Sequence, residues 1–387
     1  MNSYRVELSP ITRTSGPLNV ELMLDGSTIM EARCNGSLFR GFERMMIGRK
    51  LEDAAYFSQR VCGICSLAHG LVASMAVEDA LSWPVSQAAS ILREVMLGLE
   101  LLQNHIRHFY LLCLPDYLQS SAFPVPSADE GDYRFNPDET NILVDHYFLA
   151  LTASRLCHES IAVLAAKAPH AHGILPGGVS MPPAFPLILK VAGNLEKISE
   201  FVLEVYQKDI EHLQDRYGDY YQIGRGLGYF LSYGGFQFAD PDLIPSGVWL
   251  DNQKSNFSLN KITVSTAHSW FDSRNQKLPE PDKSDGYTWI KAPRYDDAPM
   301  EVGPLARAVI AGRMPPQSST MARIVARALE AAIIAPLLAV WLTRLDPTAS
   351  YYNSGSKNSG QKPGIGLSEV HRGGLLHRMT GAQGQIS

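Results

Sequence analysis

The chain has 387 residues, 45% of them hydrophobic and only 19% charged, with 34 Lys and Arg against 39 Asp and Glu for a net charge of −5. That balance excludes a disordered chain, and the lack of long basic runs excludes the electrostatic footprint of a nucleic-acid binder. Five cysteines form too odd and sparse a set for a disulfide scaffold, and the low charged fraction predicts surface buried against a partner.

No apolar stretch follows a basic one at the N-terminus, so no secretory signal is read there. Residues 4–8, 18–24 and 29–34 read as an antiparallel meander, with Asp25-Gly26-Ser27 as the second turn. From Ser86 the apolar residues Ala88, Ile91, Leu92, Val95, Leu99, Leu102, Ile106 and Phe109 recur at helical spacing until Pro115. A polar, proline-bearing loop over 120–139 precedes helices predicted over 142–167 and 187–217, and three long helices imply a bundle. Residues 218–300 read as an irregular, sheet-containing insertion packed on that bundle. A further helix is predicted over 322–345. Its apolar run at 331–342 is too short for a membrane span, so no transmembrane helix is expected.

A Gly/Ser/Asn-rich loop over 350–366 leads to a strand over 374–379 and a turn at 381–384. The chain stops where a return strand would begin, which predicts that the protein continues or that another chain completes the sheet. The predicted class is α+β, a central long-helix bundle with small antiparallel sheets at its periphery. One domain over 1–387 is expected: strands and CxxC segment (1–85), bundle (86–217), insertion (218–300), and a helix with a truncated site segment (301–387).

The strongest local signal is Arg60-Val61-Cys62-Gly63-Ile64-Cys65 followed by His69. Two thiols three residues apart, at the turn before a helix, can grip one soft metal. Arg60 and the helix N-terminus are expected to favour thiolates, and His69, one turn past Cys65, lies in reach of its sulfur as a candidate catalytic group. A bare CxxC is shared by zinc ribbons, redox dithiols and iron–sulfur sites. The chain has no second CxxC to close a zinc site and no alternating βαβ pattern around the first.

The segments that surround this pair resemble, in order and over essentially the whole chain, the large subunit of a nickel-iron hydrogenase. They are Pro10-Ile11-Thr12-Arg13 with Gly16, Phe39-Arg40-Gly41-Phe42-Glu43, Gln59 to Cys65 with His69, and Lys167-Ala168-Pro169-His170-Ala171-His172 with Pro176-Gly177-Gly178-Val179. Pro293-Arg294-Tyr295, Met300-Glu301-Val302-Gly303-Pro304-Leu305-Ala306-Arg307, and Gly366-Leu367-Ser368-Glu369-Val370-His371-Arg372-Gly373 continue the series.

The resemblance implies heterolytic hydrogen oxidation or evolution at nickel held by four cysteine thiolates, two of them bridging to an iron that carries carbon monoxide and cyanide. Cys62 would be a terminal nickel ligand and Cys65 a bridging one. Arg372 matches the catalytic arginine over the open coordination position, Asp116 a carboxylate that fixes it, and Glu43 a magnesium ligand. The implied partners are an iron–sulfur small subunit, since the chain carries no cluster motif of its own, and maturation chaperones. A small subunit with a twin-arginine signal would make the protein periplasmic or membrane-associated; without one it stays cytoplasmic.

Three departures stand out. The family's C-terminal Cys-x-x-Cys is missing from this sequence, which implies a truncation or a separate C-terminal peptide that supplies the other two thiolates. Ser15 stands where a glutamate is commoner, and a serine cannot hold a proton as a general base. His371 replaces a usual proline. The alternative reading is a non-catalytic scaffold that holds the iron unit with its cyanide and carbon monoxide during cofactor maturation.

Several residues carry plainer expectations. His170 and His172 are expected to hydrogen-bond the Pro176-Gly177-Gly178 turn, and His105 and His108 to sit on the polar flank of their helix. Cys34, Cys113 and Cys157 read as small buried hydrophobes, Met45 and Met46 as core packing, and Glu301 as a carboxylate favoured by a helix N-terminus.

Overall fold

The computed structural model describes residues 3–14, 16–123, 130–355 and 362–387, so Ser15 and part of the predicted 120–139 loop lie outside the described residues. The chain divides into two units, one formed by 1–47 with 258–300 and the other by 48–257 with 301–387.

In the first unit the meander forms as the alternation predicts. Ser3–Ile11, Leu18–Asp25 and Thr28–Gly36 pair antiparallel in sequence order, and Gly26 takes the left-handed conformation that the tight turn requires (φ 59°). Ile262–Ser265 and Ala292–Tyr295 form a second antiparallel pair. The ring of Phe39 stacks on Trp289 with centroids 4.5 Å apart, and a short helix, α1 (Phe42–Met46), follows. The segment predicted as one insertion is therefore split: residues 258–300 belong with the N-terminal strands. Met45 and Cys34 are exposed here, which corrects both core readings.

The second unit is built on helices α2 (Asp53–Ser58), α3 (Ser66–Leu81), α4 (Gln87–Arg107), α5 (Pro137–Ala165), α6 (Phe185–Glu200), α7 (Gln207–Arg216), α8 (Pro304–Ile310) and α9 (Thr320–Leu342). Ser86 caps α4 by accepting from Ala89 N, and Asn136 with Glu139 forms a capping box at α5. Leu92, Val95, Met96, Leu99, Leu102 and Ile106 on α4 are fully buried, each worth roughly 1.5–3 kcal/mol relative to exposure. Because α3, α5 and α9 all pack on α4, its polar residues are buried too. His105, expected on a polar flank, is buried and bonded through Nε2 to Glu330 at 2.7 Å, and burial lowers the pKa of His108 to about 3. A π-helical turn, His108–Cys113, and a 3-10 turn, Leu114–Asp116, carry α4 to the proline; a second π-turn, Phe201–Tyr206, joins α6 to α7.

Helices α5 and α9 are long and apolar enough to cross a membrane by length and composition alone, a test that the core helix of a soluble protein also passes. Half of each apolar window is buried within the protein, and Ile334, Leu338 and Trp341 of α9 belong to its core.

Gly364–Val370 and Gly373–Met379 form an antiparallel hairpin that lies on α3. A Cβ at Gly366 would stand 1.9 Å from the Val72 carbonyl oxygen, and one at Gly364 2.1 Å from that of Ala76. Only glycine permits so close an approach. The terminal segment does not leave an unpaired edge as predicted: Gly381–Ala382 pairs with Gln385–Ile386, and Ile386 exchanges backbone bonds with Gly48 and Arg49, both at 2.8 Å.

Candidate active site

Cys62 follows the 3-10 turn Gln59–Val61 in an extended conformation, and Cys65 is the N-cap of α3. The first N–H groups of a helix need acceptors. Here Leu67 N and Ala68 N donate to the two carboxylate oxygens of Glu100 on α4, at 3.1 and 3.0 Å. One turn further along α4, Asn104 Nδ2 donates to the Ile64 carbonyl at 3.1 Å and fixes the loop between the cysteines.

The two thiols are free and hydrogen-bonded to each other; that bond and then burial push the Cys65 thiol far above its ordinary range. The expectation that Arg60 and the helix terminus favour thiolates is corrected. Glu100 takes the helix N–H groups, while Arg60 donates to the Tyr56 carbonyl (2.6 Å) and stacks over the Tyr56 ring. The cation against the sulfurs is Arg372, whose Nη2 lies 3.1 Å from Cys65 Sγ and 3.6 Å from Cys62 Sγ.

Arg372 sits in the turn of the glycine-rich hairpin, and Arg307 from α8 holds that turn. Arg307 is 1% exposed; it donates to Glu330 (2.6 Å), Glu369 (2.7 Å), the Val370 carbonyl (2.8 Å) and the His371 carbonyl (3.5 Å). His69 does pair near the site, but with an imidazole: its Nδ1 lies 3.1 Å from His377 Nε2. Burial lowers both rings, His377 to about 3. His371 is buried, with no hydrogen-bond partner for either ring nitrogen among the described residues, and burial holds it well below the histidine range.

Of the predicted site residues, the structure brings Cys62, Cys65 and Arg372 together, with His69 on the first turn of α3. Asp116 lies exposed on the 3-10 turn beyond α4, and the α4 side chains that reach the cysteine segment are Glu100 and Asn104. Neither was singled out from the sequence, where they resemble the solvent side of an amphipathic helix. Glu43, in the first unit, accepts from Lys291 Nζ on both oxygens (3.0 and 2.7 Å). A magnesium ion there would have to displace that ammonium. The Pro176-Gly177-Gly178 turn is held by Glu78 and Arg93 rather than by His170 and His172: Gly177 N donates to Glu78, and Arg93 donates to the carbonyls of Leu175 and Gly178. Glu301 pairs with Arg323 through two bonds of 2.7 and 2.9 Å.

Among the described residues no group of three or more His, Cys, Asp and Glu forms a closed metal site. The cysteine pair is still a fitting half of a soft donor set: two adjacent sulfurs share a proton that a thiophilic metal replaces on binding.

The family model for nickel-dependent hydrogenase matches residues 40–125 and 119–315. The large subunit of the periplasmic [NiFeSe] hydrogenase of Desulfomicrobium baculatum is 31% identical over 420 residues, covering 96% of this chain and 81% of that protein. The hydrogenase-2 large chain of Escherichia coli K12 is 24% identical, covering 100% and 87%. A structure of H2-activated Dm. baculatum [NiFeSe]-hydrogenase superposes with a TM-score of 0.93 at 30% identity, over 100% of this chain and 88% of that one. The reduced Ni-Fe-Se hydrogenase of D. vulgaris Hildenborough gives 0.92 at 28% identity. The chain belongs to the nickel-dependent hydrogenase family, as a large, catalytic subunit. Its α+β fold of long helices with small antiparallel sheets is that of the nickel-iron hydrogenase large subunit.

Proposed function

We propose that this subunit oxidises or evolves hydrogen by heterolytic cleavage, with Cys62 and Cys65 as two of the thiolates of a nickel-iron centre that carries carbon monoxide and cyanide. The observation that carries the reading is the Arg372 guanidinium 3.1 Å from Cys65 Sγ, on a turn that Arg307 holds from behind. When bound, the metal pair supplies a Lewis-acidic, redox-active site for polarising the H–H bond.

The chain's own residues then have separable roles. Arg372 places a fixed positive charge beside the sulfurs, where it stabilises negative charge that develops during cleavage. A cysteine thiolate beside that charge can accept the proton released on cleavage. Asn104 and Glu100 hold the cysteine segment on α4, so the two sulfurs keep their spacing. His69, on the same first turn of α3, pairs with His377, and burial disfavours the charged form of its ring.

Electrons leave through an iron–sulfur small subunit. The exposed apolar residues Leu38, Phe39, Met45 and Ile47 of the first unit support a partner face there. The periplasmic address in the Dm. baculatum relative's name supports export with a partner that bears the signal. The test is hydrogen-dependent dye reduction by the native complex. Turnover that disappears in Cys65→Ser together with nickel supports the reading; full turnover in that variant overturns it.

A further inference from the structure

In the first unit, residues 38–44 and the chain around Phe271, Lys277, Trp289 and Lys291 enclose an open cavity of about 350 Å³. That volume lies in the range of sites that take up a large organic group, and it is far more than an inorganic anion fills. The floor is aromatic and packed: Phe271 is buried, with Phe39 edge-on at 5.8 Å and Trp289 edge-on at 5.6 Å between ring centroids. The rest of the lining is cationic, with Arg40, Arg44, Lys277 and Lys291 beside a single carboxylate, Glu43.

We propose that this cavity anchors the iron–sulfur small subunit, taking from it an acidic side chain carried next to an apolar or aromatic one. The inference rests on the hydrogenase reading and names the chemistry by which that partner is held.

Charge complementarity selects an acidic occupant. Glu43 is already engaged, since both its oxygens accept from Lys291 Nζ, which also lies 4.4 Å from the centroid of the Phe271 ring. The Arg40 guanidinium stacks over the Phe42 ring at 4.7 Å. Arg44 and Lys277 are exposed, and neither has a carboxylate partner among the described residues. Four cations against one carboxylate give this place an excess of positive charge on a chain whose net charge is −5, so the excess does not follow from composition. A guanidinium fork and an ammonium together hold a carboxylate by charge-assisted hydrogen bonds.

The extent of the apolar surface selects a protein over a small molecule. Leu38 and Phe39 of the lining are exposed, and so are their chain neighbours Met45, Ile47 and Ile290. A small ligand in the cavity would leave those side chains in water, whereas a protein face covers cavity and surroundings together. Aromatic residues, Met and Arg are the types enriched at the centres of such faces, where one anchor in a pocket carries much of the affinity.

The test uses the native two-subunit complex and reads the dissociation constant between its chains by sedimentation velocity at low and high salt. Arg44→Glu with Lys277→Glu should raise that constant at low salt by about tenfold or more and flatten its rise with salt, because like charge then opposes the acidic anchor. The control, Lys190→Glu with Lys197→Glu on exposed positions of α6, makes the same change of charge and should leave the constant as it is in the parent. An unchanged constant in the Arg44 and Lys277 variant, or an equal rise in the control, overturns the proposal. Phosphate bound to the parent and absent from that variant, with subunit affinity unchanged, would make the cavity a small-anion site instead. If the reversed variant fails to fold, Arg44→Gln with Lys277→Gln is read in its place: a smaller rise in the same direction supports the anchor, and none overturns it. A native preparation without a second chain and without hydrogen-dependent dye reduction overturns the hydrogenase reading itself, whereas one that has both and assembles regardless of these charges overturns only the anchor.

Discussion

The guanidinium of Arg372 and the sulfur of Cys65 meet at 3.1 Å although they are 307 residues apart in sequence. The contact depends on two packings: α3, which carries Cys65 as its N-cap, and the hairpin that lies on α3 through Gly364 and Gly366. Arg372→Lys removes the planar fork and leaves a mobile point charge. Nickel and iron content should stay unchanged while kcat for hydrogen oxidation falls about 10²-fold, as expected for loss of one preorganised electrostatic group. Metal analysis beside steady-state kinetics checks both halves.

The glycine contact gives a second expectation. In Gly366→Ala the new Cβ meets the Val72 carbonyl, which is backbone and cannot yield. The hairpin must lift from α3, at a cost of about 1–3 kcal/mol or more, and activity should fall with it. Gly193→Ala is the control: its Cβ meets nothing within 4 Å in α6, so it should stabilise by about 0.5–1 kcal/mol. Thermal unfolding of the two variants should shift in opposite directions.

Arg307 links the hairpin to the core through two buried carboxylates, Glu330 and Glu369. Arg307→Met leaves both carboxylates without their cation, with only His105 still bonded to Glu330 and the Tyr233 N–H to Glu369, and breaking a buried pair from one side costs about 3–5 kcal/mol. Adding Glu330→Gln and Glu369→Gln should recover part of that loss, since the stranded charges are then gone. Chemical denaturation of the single and triple variants measures the difference. A single variant as stable as the parent would show that the network contributes nothing.

Stability should also depend on pH in a way that two buried groups predict with opposite signs. Burial, partly offset by the backbone N–H groups of Ala239 and Phe238, raises Glu94 from 4.5 to about 7. The unfolded chain loses that proton first, so between about 4.5 and about 7 the folded state binds more protons. Stability therefore falls as pH rises through this window, by up to roughly 1.4 kcal/mol per pH unit, and levels off above it. His377, lowered by burial to about 3, acts on the acid side: the unfolded chain takes up its proton first below about 6.5, and stability falls as pH drops from there. Glu94→Gln should lessen the first effect by its own share, leaving that of the buried Glu100 carboxyl, which is raised to about 8, and should leave the second unchanged, which melting temperatures measured from acid to neutral pH will show.

Much of the fold was legible from local pattern. Alternation marked the meander to within a few residues, and the apolar series from Ala88 to Ile106 marked α4. The cysteine pair was legible from spacing, and Arg372 from its segment. Glu100 and Asn104 were not, because periodicity identifies one buried face, and α4 is buried on every side by α3, α5 and α9. His105 was misplaced for the same reason. The division of 218–300 and the π-turns after α4 and α6 arise from contacts between distant segments, which leave no trace in a local window.

The most direct test of the central claim is nickel and iron per chain in the purified native protein, with an infrared spectrum of the same sample. Nickel and iron in equal amounts, with carbon monoxide and cyanide bands, is the predicted result. Iron with the bands but no nickel would favour an assembly scaffold, and neither metal nor bands would contradict the assignment of Cys62 and Cys65 to a nickel-iron centre.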